Sequence, residues 1–125
     1  MIKILLVEDT VSLLQMYSTK LKISGFGVLE AMNGEDGLQV AMTEHPELIV
    51  LDVVMPKMNG LELMKTLRRD VWGRSVPIIL LTNVRPDADA TLQAIMEDAP
   101  AFYLLKESTT PEDLVEKVRE VLGIS

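Results

Sequence analysis

Hydrophobic positions in this chain follow two alternating patterns. Five short runs are almost continuously apolar: residues 2–7 (broken only by Lys3), 26–31, 48–51, 76–81 and 101–105. Runs of this length between turn residues predict strands, and their continuity predicts burial on both faces. Between them, apolar residues recur at helical spacing. Val11, Leu14, Tyr17 and Leu21 form the first such stripe, followed by Leu38, Ala41 and Met42, and then by Leu61, Met64 and Leu67. Ala88, Leu92, Ile95 and Met96 form the fourth, and Leu114, Val118, Val121 and Leu122 the fifth.

The punctuation agrees with this division. Ser24-Gly25 stops the first helix, Asn33-Gly34 predicts a turn, and Pro46 closes the second helix. Pro77 sits near the start of the fourth strand, where a missing donor is tolerated. Pro100 forces an extended backbone at Ala99. Thr110-Pro111-Glu112-Asp113 combines an N-cap, proline at the first helical position and acids in the first turn. Arg68-Arg69 suits the dipole at the end of the third helix. Gly123 ends the fifth. Glu30 and a lower apolar content place the second strand at a sheet edge.

Strands alternating with helices predict an α/β fold, with a five-stranded parallel sheet covered on both faces. At 125 residues the chain suffices for one domain, and residues 1–125 are expected to form it, with no second domain, repeat or linker. No apolar run approaches a membrane span, and the start of the chain lacks the pattern of a signal peptide. The absence of cysteine excludes disulfides and thiolate metal sites, and suits a cytoplasmic location. A formal charge of −7 argues against direct binding to nucleic acid, whose phosphates it would repel.

In a parallel sheet every strand delivers its carboxyl end to one edge, where open α/β folds bind their ligands. The first strand delivers Glu8 and Asp9, the third Asp52, the fourth Thr82 and the fifth Lys106. Alone, Asp52 would be read as a cap, Thr82 as a turn residue and Lys106 as a solvated cation. Together they form a set. Three clustered carboxylates repel one another, and a hard divalent cation such as Mg²⁺ relieves that repulsion through oxygen ligands. Lysine and threonine then complete a site for a phosphoryl group, with a carboxylate as nucleophile.

Along its whole length the chain resembles the receiver domain of bacterial two-component response regulators. The residues that carry the resemblance are Leu6-Val7-Glu8-Asp9, Leu51-Asp52 with Met55-Pro56-Lys57-Met58-Asn59-Gly60, Pro77-Ile78-Ile79-Leu80-Leu81-Thr82 and Tyr103-Leu104-Leu105-Lys106. The resemblance implies a doubly wound, flavodoxin-like three-layer sandwich of strand order 2-1-3-4-5. It implies that Asp52 accepts the phosphoryl group, that Asp9 binds Mg²⁺ directly and Glu8 through water, and that the Val54 carbonyl adds a ligand. Thr82 and Lys106 would grip the phosphoryl oxygens, and Tyr103 would be the switch aromatic. The implied partners are a sensor histidine kinase or histidine phosphotransfer protein, with an output protein or second copy on the face of the fourth helix, fifth strand and fifth helix.

The chain departs from the family pattern in the segment that changes shape and meets partners. Glu107 replaces the proline that normally follows the lysine, Asn83 stands where a small residue is usual, and Asp98-Ala99-Pro100-Ala101-Phe102 replaces the Gly-Ala-Asp-type stretch that usually leads into the fifth strand. A cis bond before Glu107 would cost about 3–4 kcal/mol, so a trans Lys106–Glu107 bond is expected, with Lys106 still reaching the site. Val54 and Val84 flank the approach of a hydrolytic water and offer it no side-chain hydrogen bond, and Asn83 is expected to crowd the same opening. The expected result is a long-lived aspartyl phosphate, which Asn83→Ala would shorten.

The departures also motivate an alternative, a pseudo-receiver that binds partners independently of phosphorylation. A haloacid-dehalogenase-type phosphatase would want a second Asp where Val54 stands. His45, in a loop before Pro46, lacks the exposed bundle helix of a phosphorelay histidine. Trp72 is expected to cover a core edge.

Overall fold

The computed structural model describes residues 1–85 and 101–124. Its strands are β1 (Lys3–Val7), β2 (Gly27–Ala31), β3 (Leu48–Leu51), β4 (Ile78–Thr82) and β5 (Ala101–Leu105). They form one parallel sheet in the order β2-β1-β3-β4-β5, so the polar second strand is indeed an edge. The helices are α1 (Val11–Ile23), α2 (Gly34–Glu44), α3 (Gly60–Arg68) and a C-terminal helix (Pro111–Leu122). The predicted fourth helix, from Ala88 to Met96, and the Asp98–Pro100 stretch lie outside the described residues. No helix among those described is long and apolar enough to cross a membrane.

The two-residue period of a strand explains why the central runs are apolar throughout. Ile4, Leu6, Leu48, Val50, Ile79 and Leu81 face one layer, with Leu14, Tyr17 and Leu21 of α1 and Leu114, Val115 and Val118 of the C-terminal helix. Leu5, Val7, Ile49, Leu51, Ile78 and Leu80 face the other, with Ala41 of α2 and Leu63, Met64 and Leu67 of α3. The result is the expected three-layer sandwich.

Several local expectations change. Val11 and Met42, read as part of buried stripes, are 51% and 39% exposed. Asn33-Gly34 is not a free turn. Asn33 is the N-cap of α2, its side chain accepting from the Asp36 N–H at 2.9 Å, and Gly34 is the first helical residue. The fourth strand begins at Ile78 and includes Thr82. Pro77, which has no N–H to give, supplies its carbonyl to the Ile49 N–H at 3.0 Å. Trp72 packs at a core edge as expected, and it stacks on His45 with ring centroids 4.4 Å apart.

Two glycines let helices approach the sheet's carboxyl edge. A Cβ on Gly34 would lie 1.8 Å from the Met58 carbonyl oxygen, and one on Gly60 would lie 2.0 Å from the Asp52 carbonyl oxygen. The Gly60 N–H also donates to the Val53 carbonyl at 2.9 Å, so α3 begins tied to the backbone beside Asp52. Asn59 and Glu62 close a reciprocal capping box there. Gly60→Ala must push β3 and α3 apart, and overpacking of this kind costs about 1–3 kcal/mol. Urea denaturation should show a loss of that order, whereas Gly27→Ala, whose Cβ would meet chiefly the flexible Met1 side chain, should lose less.

Candidate functional site

Hydrogen bonds that continue the ladder set Glu8 and Asp52 side by side. The Glu8 N–H donates to the Ala31 carbonyl at 3.0 Å, and the Asp52 N–H donates to the Val7 carbonyl at 3.2 Å. Both carboxylates stand just past adjacent strands and are almost fully buried, at 2% and 6% exposure. Asp9 beside them is exposed. Carboxylate oxygens of Glu8, Asp9 and Asp52 all lie within 4.8 Å of one another.

Lys106 begins a single 3₁₀ turn, Lys106–Ser108, directly after β5. Its Nζ lies 2.6 Å from Glu8 Oε1 and 2.6 Å from Asp52 Oδ2. The repulsion expected among the three carboxylates is therefore already relieved in part by an ammonium. The remaining oxygens are held as well. Glu8 Oε2 accepts from the Thr10 N–H at 3.0 Å, and Asp52 Oδ1 accepts from the Val54 N–H at 3.3 Å.

Burial pushes the Glu8 carboxyl above the usual carboxylate range and the Asp52 charge adds to this, against the opposing pull of Lys106 and the Thr10 N–H. Burial alone would lower Lys106, but its hydrogen bonds to Asp52 and Glu8 and their charges outweigh it, and the net direction is upward. Lys106 thus stays charged between its two partners.

Thr82 is 1% exposed, and its Oγ1 accepts from the Val84 N–H at 3.4 Å. That bond leaves the hydroxyl proton free to donate. Asp52, Val54, Thr82, Asn83, Val84 and Lys106 line an open cleft of about 330 Å³, at the small end for ligand pockets. Val54 stands on its rim at 64% exposure. Tyr103 is half-buried against the core, and its hydroxyl is buried with no hydrogen-bond partner among the described residues. Burial raises its pKa, and the Asp52 charge adds to this.

The Lys106–Glu107 peptide is trans. Asn83 lines the cleft, but its amide is engaged elsewhere, Oδ1 accepting from the Glu107 N–H at 3.2 Å. Arg85 forms an ion pair with the Glu107 carboxylate. Sequence reasoning missed both contacts. The signal was present, since replacing a proline by Glu107 adds an N–H that needs an acceptor. It also took Tyr17 for a simple core residue. That side chain is buried, and its hydroxyl lies 3.5 Å from the Thr109 carbonyl, just beyond the Lys106 turn. Burial is the main cause of its raised pKa, but the charges of Lys106 and Glu8 also act on it.

Residues 4–119 match the family model described as "Response regulator receiver domain". The chain belongs to this family. It is a receiver domain of two-component response regulators, whose general role is that of a phosphorylation-dependent switch. It is 41% identical over 122 residues to the "Transcriptional regulatory protein CpxR homolog" of Haemophilus influenzae, covering 98% of this chain and 51% of that protein. To the "Alkaline phosphatase synthesis transcriptional regulatory protein PhoP" of Bacillus subtilis it is 36% identical, covering 96% of this chain and 48% of the other. The chain spans about half the length of the curated relatives it matches. Among solved structures, the chemotaxis response regulator CheY4 of Vibrio cholerae superposes with a TM-score of 0.85 at 32% identity, covering 97% of this chain and 98% of that one. A CheY-like receiver domain from Methanospirillum hungatei gives 0.86 at 26% identity, covering 98% and 94%.

The receiver's charge cluster makes a stability prediction of opposite signs. Lys106→Met leaves two buried carboxylates without their cation, and breaking a buried pair in this way costs about 3 kcal/mol. Asp52→Asn removes one like charge, while Lys106 keeps Glu8. In metal-free buffer Lys106→Met should lower the denaturation midpoint, and Asp52→Asn should raise it. A fall in both would show that pairing, not repulsion, dominates the cluster.

Proposed function

We propose that Asp52 accepts a phosphoryl group from a phosphohistidine on a sensor histidine kinase or histidine phosphotransfer protein. One observation carries this assignment. Of the three clustered carboxylates, only Asp52 lines the cleft that Thr82 and Lys106 also line. Glu8 is more deeply buried, with its oxygens committed to Thr10 and Lys106. A carboxylate oxygen of Asp52 attacks phosphorus, and the bond from phosphorus to the imidazole nitrogen breaks. The imidazole leaves with that electron pair.

The donor set fits Mg²⁺, since three carboxylates within reach of one another offer the oxygen ligands that a hard cation prefers. Glu8, Asp9, Asp52 and the Val54 carbonyl would hold it. Bound there, Mg²⁺ supplies positive charge against the carboxylates and the phosphoryl oxygens. Lys106 and the Thr82 hydroxyl donate to those oxygens from the protein side. Lys106 can shift from the Asp52 carboxylate to a phosphoryl oxygen without leaving Glu8. Tyr103 is read as the switch aromatic, because a buried phenol with no partner among the described residues has a hydrogen bond to gain by moving to one.

Residues 1–125 are read as one receiver unit that works in the cytoplasm. Its output surface, for another protein or a second copy, is read as the face of the predicted fourth helix, which lies outside the described residues, with β5 and the C-terminal helix. There Phe102 is 38% exposed, with the Lys117 ammonium 5.3 Å from its ring centre.

Incubation with Mg²⁺ and acetyl phosphate, followed by a phosphate-affinity gel, tests the chemistry. The parent should shift, while Asp52→Asn and a chelator-treated sample should not. An unshifted parent would favour the phosphorylation-independent binding module. Lifetime is a separate expectation. Val54 and Val84 offer an attacking water no side-chain hydrogen bond. Val54→Asn should align that water and speed dephosphorylation by about threefold to tenfold, followed after removal of the donor. An unchanged rate would count against shielding by these valines.

A further inference from the structure

We propose that Asn83 is a positioning residue for Lys106, acting through the Glu107 N–H. The inference rests on the phosphoryl-acceptor reading of Asp52 and adds to it a residue that touches neither Asp52 nor Lys106 by hydrogen bond. The β4–β5 ladder ends at the pair Thr82–Leu105. Asn83 and Lys106 are the next residues on each strand, and both line the cleft. Beyond the ladder, the described contacts that still join the two strand ends are the Asn83 Oδ1–Glu107 N–H bond at 3.2 Å and the Arg85–Glu107 ion pair. The asparagine side chain thus supplies one more cross-strand link where the backbone ladder has stopped.

Apart from the Tyr17 hydroxyl, 3.5 Å from the Thr109 carbonyl, the backbone of the turn that carries Lys106 is otherwise held from within its own segment. The Thr109 N–H reaches the Lys106 carbonyl at 3.3 Å, and the Thr109 hydroxyl donates to the Leu105 carbonyl at 2.7 Å. Those bonds fix the shape of the turn but not its distance from β4. Asn83 fixes that distance at the peptide after Lys106. The two links differ in weight. Arg85 and Glu107 are 60% and 53% exposed at their side chains, and an exposed pair of this kind contributes little. The Asn83 bond is short-ranged and directional, and it satisfies a backbone donor. In the metal-free, unphosphorylated protein, the two carboxylates also hold Lys106 from its far end. Once Asp52 carries the phosphoryl group the lysine exchanges its Asp52 contact for a phosphoryl oxygen, and the backbone anchor at Glu107 holds the turn in place through that exchange.

The test uses the full chain with acetyl phosphate and Mg²⁺, and compares Asn83→Ala, Asn83→Leu, Asn83→Asp and Arg85→Ala with the parent. Leucine keeps bulk without an acceptor, and aspartate keeps the acceptor. Phosphorylation should slow by about threefold to tenfold in the alanine and leucine variants, while Arg85→Ala stays within about twofold of the parent; Asn83→Asp adds a charge to the cleft and is read by hydrogen exchange alone. Amide hydrogen exchange at Glu107, read without any phosphodonor, should speed up about tenfold in the alanine and leucine variants alone. A leucine variant as fast as the parent, or an aspartate variant whose Glu107 amide exchanges as fast as in the alanine variant, would overturn the proposal. So would unchanged Glu107 exchange. If the parent itself is not phosphorylated, the acceptor reading of Asp52 fails, while the exchange comparison still decides whether Asn83 holds the turn.

Discussion

An ammonium wedged between two buried carboxylates governs the geometry of this domain's carboxyl edge. Lys106 comes from β5, Asp52 lies just past β3 and Glu8 just past β1, so one nitrogen ties together the ends of three strands. The strand between β5 and β3, β4, contributes Thr82 to the same cleft. With neighbouring strands about 4.8 Å apart, Lys106 starts roughly 10 Å from the Asp52 strand. Only a long flexible side chain crosses that gap, and only if the backbone after β5 turns back over the sheet. The single 3₁₀ turn at Lys106–Ser108 does this. Burying charge in this way is a poor means of gaining stability, because desolvation consumes most of the attraction. The arrangement is better understood as the cost of holding an acidic cluster ready.

The sheet makes the cluster feasible. Its central strands are apolar on both faces, so two layers of helices clamp them and their ends have little freedom. The close approaches at Gly60 and Gly34 extend this clamping to the loop behind Asp52. One ammonium still faces three carboxylates, so the cluster remains net negative after pairing. On the proposed reading, a cation and an incoming phosphoryl group would meet a site whose charges are fixed but unbalanced, which is a condition for differential binding rather than for maximal stability.

Much of this was legible in the sequence, for a physical reason. A strand buried on both faces must be apolar throughout, so the first polar residue after it marks the sheet's edge. Glu8, Asp52 and Lys106 could thus be assigned to one edge before their contacts were known. Periodicity was weaker at the helices, because a stripe of three or four apolar residues spans a wide arc. Val11 and Met42 fall at the edge of such arcs and end up in solvent. Asn33-Gly34 misled because the same dipeptide serves a turn or an N-cap. Here Asp36, whose N–H the Asn33 side chain accepts, decides for the cap. The Asn83–Glu107 bond joins residues 24 positions apart. No local pattern encodes such a pair, although the missing proline announced an unpaired donor.

On the proposed reading, the double hold on Lys106 also explains how a small chemical change can be felt along β5. Esterification of Asp52 removes the carboxylate charge from one partner and places greater negative charge a bond further out. Glu8 is unaltered and deeply buried, so it keeps its hold on the ammonium. Lys106 therefore pivots about Glu8 rather than swinging free, and the motion is confined to the direction of the cleft. Thr82 lines the same cleft and can donate to the same oxygens. The cross-strand neighbour of Leu80 is Tyr103, two residue pairs in from the end of the ladder. Its hydroxyl is buried with no partner among the described residues, so the strand that leads into Lys106 also carries a side chain that would gain a hydrogen bond by moving to a partner. A switch built this way needs no hinge, since the ladder holds the strand while the side chains at its end exchange partners.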